Sequence, residues 1–251
     1  MISNCNKVLR LFAVAVATIL SVILTRRPEP SYQGRSLTEW LWVYRENWIQ
    51  TRINADFSSI GGQQAHSVQA VRDQREVARN EKERQRAADA VRHIGTNALP
   101  YLLVRLHYDP SPLKQKMESI LRFIGFGPSG SLERSYRDSD AAVLGFEILG
   151  PVATSTIPEL ERFVCNSPSD RCASHAVAAL TYIGRESIPS LITLLTNDKL
   201  PAVRKIAAVA DIPALGTNSS PAVPYLIRLL KDPNPVLREV VAQTLGLKQA
   251  C

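Results

Sequence analysis

The chain has 251 residues, 45% apolar and 6% aromatic, with 30 basic and 23 acidic side chains giving a formal net charge of +7. The apolar content excludes a disordered class, and four cysteines are too few for a disulfide-built scaffold. Charges of both signs are spread along the chain without a dense basic stripe, which argues against a nucleic-acid binder.

The first element is an apolar run. Residues Leu11 to Leu24 carry no charge; Lys7 and Arg10 precede them, and Arg26 and Arg27 follow. Fourteen helical residues span roughly 21 Å, short of the ~30 Å hydrocarbon core. Counting Val8 to Thr25, with Arg10 snorkelling, brings the length to about 27 Å. Residues 1–27 therefore read as a signal-anchor or a signal peptide. No small-x-small cleavage site follows, and Cys5 precedes the run instead of following it, which disfavours a lipoprotein anchor. The uncleaved signal-anchor is the preferred reading. It puts the rest of the chain outside the cytoplasm, tethered on the periplasmic side; export after cleavage is the alternative.

Pro28, Glu29 and Pro30 open a linker over 28–83. Within it, Ser36 and Glu39 have capping-box spacing for an amphipathic helix over 36–49. Leu37, Trp40, Leu41 and Tyr44 fall on one face of that helix, to pack on the domain or to lie on a membrane surface. Residues 51–70, with Gly61 and Gly62, read as a flexible loop. From Val71 to His93 the chain is densely charged with mixed signs, which predicts a solvated helix.

Internal repetition is the strongest signal. Four times an apolar residue and a glycine precede a short loop and a proline-led apolar helix. The glycine–proline pairs are Gly95 and Pro100, Gly150 and Pro158, Gly184 and Pro189, Gly216 and Pro224. The spacings are 5, 8, 5 and 8 residues. A glycine can take the left-handed conformation that ends a helix. A proline is tolerated early in the next helix, where its missing N–H would be unpaired anyway. Ala-rich first helices precede each glycine and allow close approach. One hairpin cannot bury its apolar face alone, so the pattern predicts stacking. The stretch VLREVVAQTLGLKQAC reads as a truncated fifth first-helix that caps the array.

This alternation resembles HEAT repeats. PAVRKIAA and PVLREVVAQTLG look like the Val-Arg…Ala signature of that family. GRSLTEWL and AAVLGFEILGPVATSTIPEL look like segments of bacterial HEAT-repeat proteins with an N-terminal membrane segment. The resemblance covers 84–251 and, loosely, 34–50. It implies an all-α fold, a right-handed α-α superhelix of HEAT/armadillo type behind an N-terminal hydrophobic helix. It also implies binding of a protein or peptide, with no catalytic residue and no cofactor. One departure stands out: Pro100 and Pro158 are 58 residues apart, against 31 and 35 for the next two pairs. An off-period insertion over about 108–139, with one helix near Leu113–Ile124, is expected to break the curvature.

Other motifs carry little. Gly125, Gly127 and Gly130 match G-x-G-x-x-G, but a helix precedes them and Pro128 stiffens the loop, whereas a dinucleotide site needs a strand there. Cys165, Cys172 and His175 offer three soft ligands where a structural zinc site wants four, so no metal is expected. Cys165 and Cys172 form a local disulfide or remain two free thiols. No Ser-His-Asp or Cys-His arrangement follows from local signatures.

Aligning the second helices on their prolines gives the outward columns. The candidate partner-binding face is Tyr101, Arg162, Tyr225, Arg228 and Lys231, because tyrosine and arginine are enriched at interface hot spots. The reading is a non-catalytic HEAT-repeat scaffold for protein–protein interaction at the bacterial cell envelope. Its rivals are a nucleic-acid-binding HEAT-like protein and a HEAT-like chromophore lyase; the latter rests on fold analogy alone.

Overall fold

Where the glycines and prolines stand decides where the chain turns. The computed structural model describes residues 28–60, 68–107, 116–117, 119–120, 131–167 and 169–246. The N-terminal apolar segment, Cys5, Cys251 and the Gly125–Gly130 loop lie outside the described residues. Of the two compact parts of the chain, Met1–Pro30 and Ser31–Cys251, the second holds all the elements below.

It begins with a hairpin, β1 (Ser31–Tyr32) and β2 (Arg35–Ser36), antiparallel around Gln33 and Gly34 at φ 51° and 77°. Positive φ at both central residues is what a two-residue hairpin needs. Ten helices follow. They are α1 (Leu37–Ile60), α2 (Val68–Ile94), α3 (Leu99–Leu106), α4 (Ser131–Leu149), α5 (Ile157–Asn166), α6 (Asp170–Ile183), α7 (Ile188–Thr196), α8 (Ala202–Asp211), α9 (Val223–Leu229) and α10 (Pro235–Thr244). Helices α4, α6, α8 and α10 each pack on the next, and α5, α7 and α9 form a second row. This is an all-α architecture of packed helix pairs. Ala173, Ala176 and Ala179 of α6 are fully buried, as close helix approach requires; Leu160, Leu191 and Leu194 fill the second row. Each buried leucine contributes about 1.5–3 kcal/mol.

The turns behave as their residues dictate. Gly95, Gly150, Gly184 and Gly216 all have positive φ. Pro100, Pro158, Pro189 and Pro224 each sit in the first turn of the following helix. Gly184 departs from the expected left-handed cap: at φ 95° and ψ −139° it is the mirror image of extended backbone. Only glycine enters that region at little cost. Nothing lies within 4 Å of a Cβ built there, so alanine would meet strain and no clash. Gly184→Ala is expected to destabilise by about 1–3 kcal/mol, read as a lower urea midpoint with unchanged slope.

Three expectations need correction. The segment 28–83 is no linker: α1 lies along α2 and also against α4, and Leu37, Trp40 and Leu41 are fully buried. The stripe of Leu37, Trp40, Leu41 and Tyr44 packs on the domain, one of the two alternatives above; only its distant partners were not legible. The loop read over 51–70 is helical at 51–60 and 68–70. Finally, α4 begins at Ser131, inside the expected insertion. Helix α3 packs directly on α4, and the turns Gly95–Ala98 and Gly150–Thr156 touch. A Cβ on Gly145 of α4 would sit 2.6 Å from Leu102 Cδ2 of α3. So no intervening layer separates these neighbours among the described residues, despite the 58-residue spacing.

One described stretch, 134–166, is long and apolar enough to cross a membrane. It comprises most of α4, a turn and α5, and is largely buried in the helix stack, which makes it core.

Candidate functional site

Among the described residues, clefts open between α7 and α9 and between α3 and α5. Between α7 and α9 a cavity of about 270 Å³ is lined by Tyr225, Arg228 and Lys231, together with Lys205 from α8. Arg228 stacks its guanidinium 5.7 Å from the Tyr225 ring centre, a cation–π contact. Three of the five predicted face residues therefore share one cleft. Tyr101 is half-buried on α3 and Arg162 is exposed on α5; neither lines that cleft. Between α3 and α5 a larger cavity, about 720 Å³, is lined by Leu99, Leu103, Val104, His107 and Glu159. Val104 is 71% exposed. The His107 ring lies 3.6 Å, centre to centre, from Phe163.

Sequence reading missed a polar cluster on the first-row side. Asp140 of α4 receives Arg45 of α1 at 3.4 Å and Arg171 of α6 at 3.2 Å, and His175 Nε2 stands 3.5 Å away. Ser139 Oγ is 2.7 Å from His175 Nδ1. Burial holds the imidazole below its ordinary value; Asp140 opposes this and Arg171 reinforces it. The geometry suits a neutral ring, with Nδ1 accepting from the Ser139 hydroxyl and Nε2–H directed at Asp140. Serine, histidine and aspartate thus do meet, from two helices. Ser139 is 2% exposed within α4. Helix-interior amides are already bonded, so among the described residues no free N–H pair of α4 stands beside it to hold an oxyanion. The trio ties α4 to α6, and Arg45 on Asp140 adds α1.

Cys165 and Cys172 are free thiols. Cys165 Sγ accepts from Asn197 Nδ2 at 3.9 Å, and burial pushes its thiol up. Cys172 is buried, and its N–H is taken by the Ser169 cap of α6. No group of three potential metal ligands is gathered among the described residues.

Arg204, within the PAVRKIAA stretch, is buried at the start of α8. Its Nη1 donates to Val164 O at 2.7 Å and Cys165 O at 3.2 Å, its Nη2 to Ser167 O at 2.7 Å, and its Nε to Asp170 Oδ1 at 2.8 Å. The guanidinium caps the C-terminal end of α5, whose carbonyls would otherwise be orphans.

Asp211 closes α8. Burial pushes its carboxyl up to about 6. The folded state then binds the proton more tightly than the unfolded one. The resulting penalty is absent below pH ~4, grows between about 4 and 6, and is complete above 6. Asp211→Asn should stabilise the protein at pH 8 by on the order of 1–2 kcal/mol, after discounting for partial exposure. The gain should vanish at pH 4, as checked by urea titrations at both values.

Residues 157–246 match a family model described as HEAT repeats. Together with the packed helix pairs, the match supports a HEAT-like repeat protein. No curated protein and no solved structure matches the chain.

Proposed function

We propose that this protein is a non-catalytic scaffold whose second-row helices bind a protein or peptide partner. HEAT repeats commonly mediate protein interactions, and the matched residues include the α7–α9 cleft. The observation that carries the reading is the gathering of Tyr225, Arg228 and Lys231 on that cleft, since aromatic and basic side chains beside a concavity are what interface hot spots are made of. Photo-crosslinking tests it: a crosslinking amino acid is placed at Val104, at Arg228 and, as a control, at Arg92 of α2. Partner adducts at the first two positions alone are expected. Equal yield at Arg92, or none anywhere, sinks the reading.

The finer part of the proposal is a tether. The charge-free run from Leu11 to Leu24 with basic flanks supports a signal-anchor that holds the repeats outside the cytoplasm, at the cell envelope. Fractionation with mass spectrometry of the mature N-terminus decides it. A soluble cytoplasmic product starting at Met1 would overturn this placement.

A further inference from the structure

Lys205 is out of place. It is 7% exposed, yet its side chain makes no hydrogen bond or ion pair among the described residues, unlike that of its neighbour Arg204. Its stem is buried while the ammonium reaches the cleft, as a snorkelling lysine does. Lys205 lines the α7–α9 cleft, where Arg228 and Lys231 add two further cations and Leu195 and Leu229 supply an apolar wall. Asp198 and Asp232 also line it, but neither forms an ion pair with these cations; Asp232 Oδ1 accepts from the Asn234 backbone N–H at 2.9 Å. With Lys205, Arg228 and Lys231 facing Asp198 and Asp232, the cleft carries an excess of positive charge.

We infer that the cleft between α7 and α9 binds an acidic peptide segment of the partner, with a Glu or Asp carboxylate seated on Lys205 and flanked by Arg228 and Lys231, and an apolar side chain against Leu195 and Leu229. This inference rests on the scaffold reading above and narrows the partner's chemistry. The volume of about 270 Å³ suits one or two side chains of an extended peptide. Tyr225, already stacked with Arg228, holds the guanidinium at the mouth.

The test uses the full chain and a labelled peptide of alternating Glu and Leu, followed by fluorescence anisotropy. A Gln/Leu peptide of equal length is the control. The acidic peptide should bind at least ten-fold tighter than the control, and the difference should shrink as salt rises. Lys205→Met keeps the stem and removes the charge. It should weaken acidic-peptide binding about ten-fold while leaving the Tm within about 2 °C of the wild type. A lysine kept for structure alone would give a lower Tm and unchanged binding. Equal binding of the two peptides, or undiminished binding by Lys205→Met, overturns the inference. So does tighter Lys205-dependent binding of single-stranded DNA or phosphatidylglycerol vesicles run in parallel. If Lys205→Met retains the crosslinks at Val104, the scaffold reading stands while this one falls. If wild type gives no crosslinks, the scaffold reading fails first.

Discussion

Arg204→Ala is expected to lower the unfolding free energy by about 3–5 kcal/mol, the cost typical of removing one partner from a buried charged network. For a chain of this size that is a Tm loss of about 10 °C. The guanidinium serves four acceptors, three of them backbone carbonyls at the end of α5. The fourth, Asp170, has a side chain that is 54% exposed. Exposed ion pairs contribute about 0–1 kcal/mol, so the carbonyl bonds decide the outcome. Asp170→Asn should accordingly cost under about 1 kcal/mol. Arg204→Lys should recover only part of the loss, since an ammonium cannot reproduce the planar fork. A loss below 1 kcal/mol for Arg204→Ala would mean that water satisfies those carbonyls equally well.

The second large effect lies at the other end of the compact region. Trp40 is 1% exposed in α1, and its Nε1–H donates to Tyr32 O at 2.9 Å. Tyr32 in turn stacks on His93 of α2 at 4.1 Å. The indole thus joins the hairpin, α1 and α2. Trp40→Ala should cost about 3–5 kcal/mol, the range for emptying a large aromatic site in a core. Hydrogen exchange should rise in α2 and α4 as well as locally, because α1 touches both. A change under 0.5 kcal/mol, or exchange confined to 31–60, would show that this region is an appendage.

What could be read in the sequence was local. The Ser36–Glu39 capping box forms as its spacing suggests, with the Ser36 N–H donating to Glu39 Oε2 at 2.7 Å and the Glu39 N–H to Ser36 Oγ at 3.3 Å. Glycine and proline carry their backbone preferences in their own covalent structure, so the repeat turns were legible too. The hairpin was not: Gln33 adopts φ 51° without the glycine or asparagine that would announce it. Packing of the α1 stripe on the domain was one of two readings, but its partners were hidden because they are remote; Trp42 Nε1–H meets Asp138 Oδ1 at 2.8 Å across 96 residues. At the candidate site, Tyr225, Arg228 and Lys231 came together because one helix and its turn carry them. Tyr101 and Arg162 did not join them, since a repeat register gives direction from the helix axis but not which neighbouring pair parts to leave a cleft. Lys205 was passed over as a polar letter in a repeat signature; the cleft it lines is formed with residues of α7 and α9, which no local pattern encodes.

The bonds of Arg204 run backwards along the chain, to acceptors 34 to 40 positions earlier. During translation, α5 is therefore made well before the side chain that closes its end. At typical elongation rates of 5–20 residues per second, the interval is about 2–8 s. Throughout it, the carbonyls of Val164, Cys165 and Ser167 depend on water, and α5 lacks its clamp. Codon choice between positions 168 and 204 sets how long the nascent chain stays in that state.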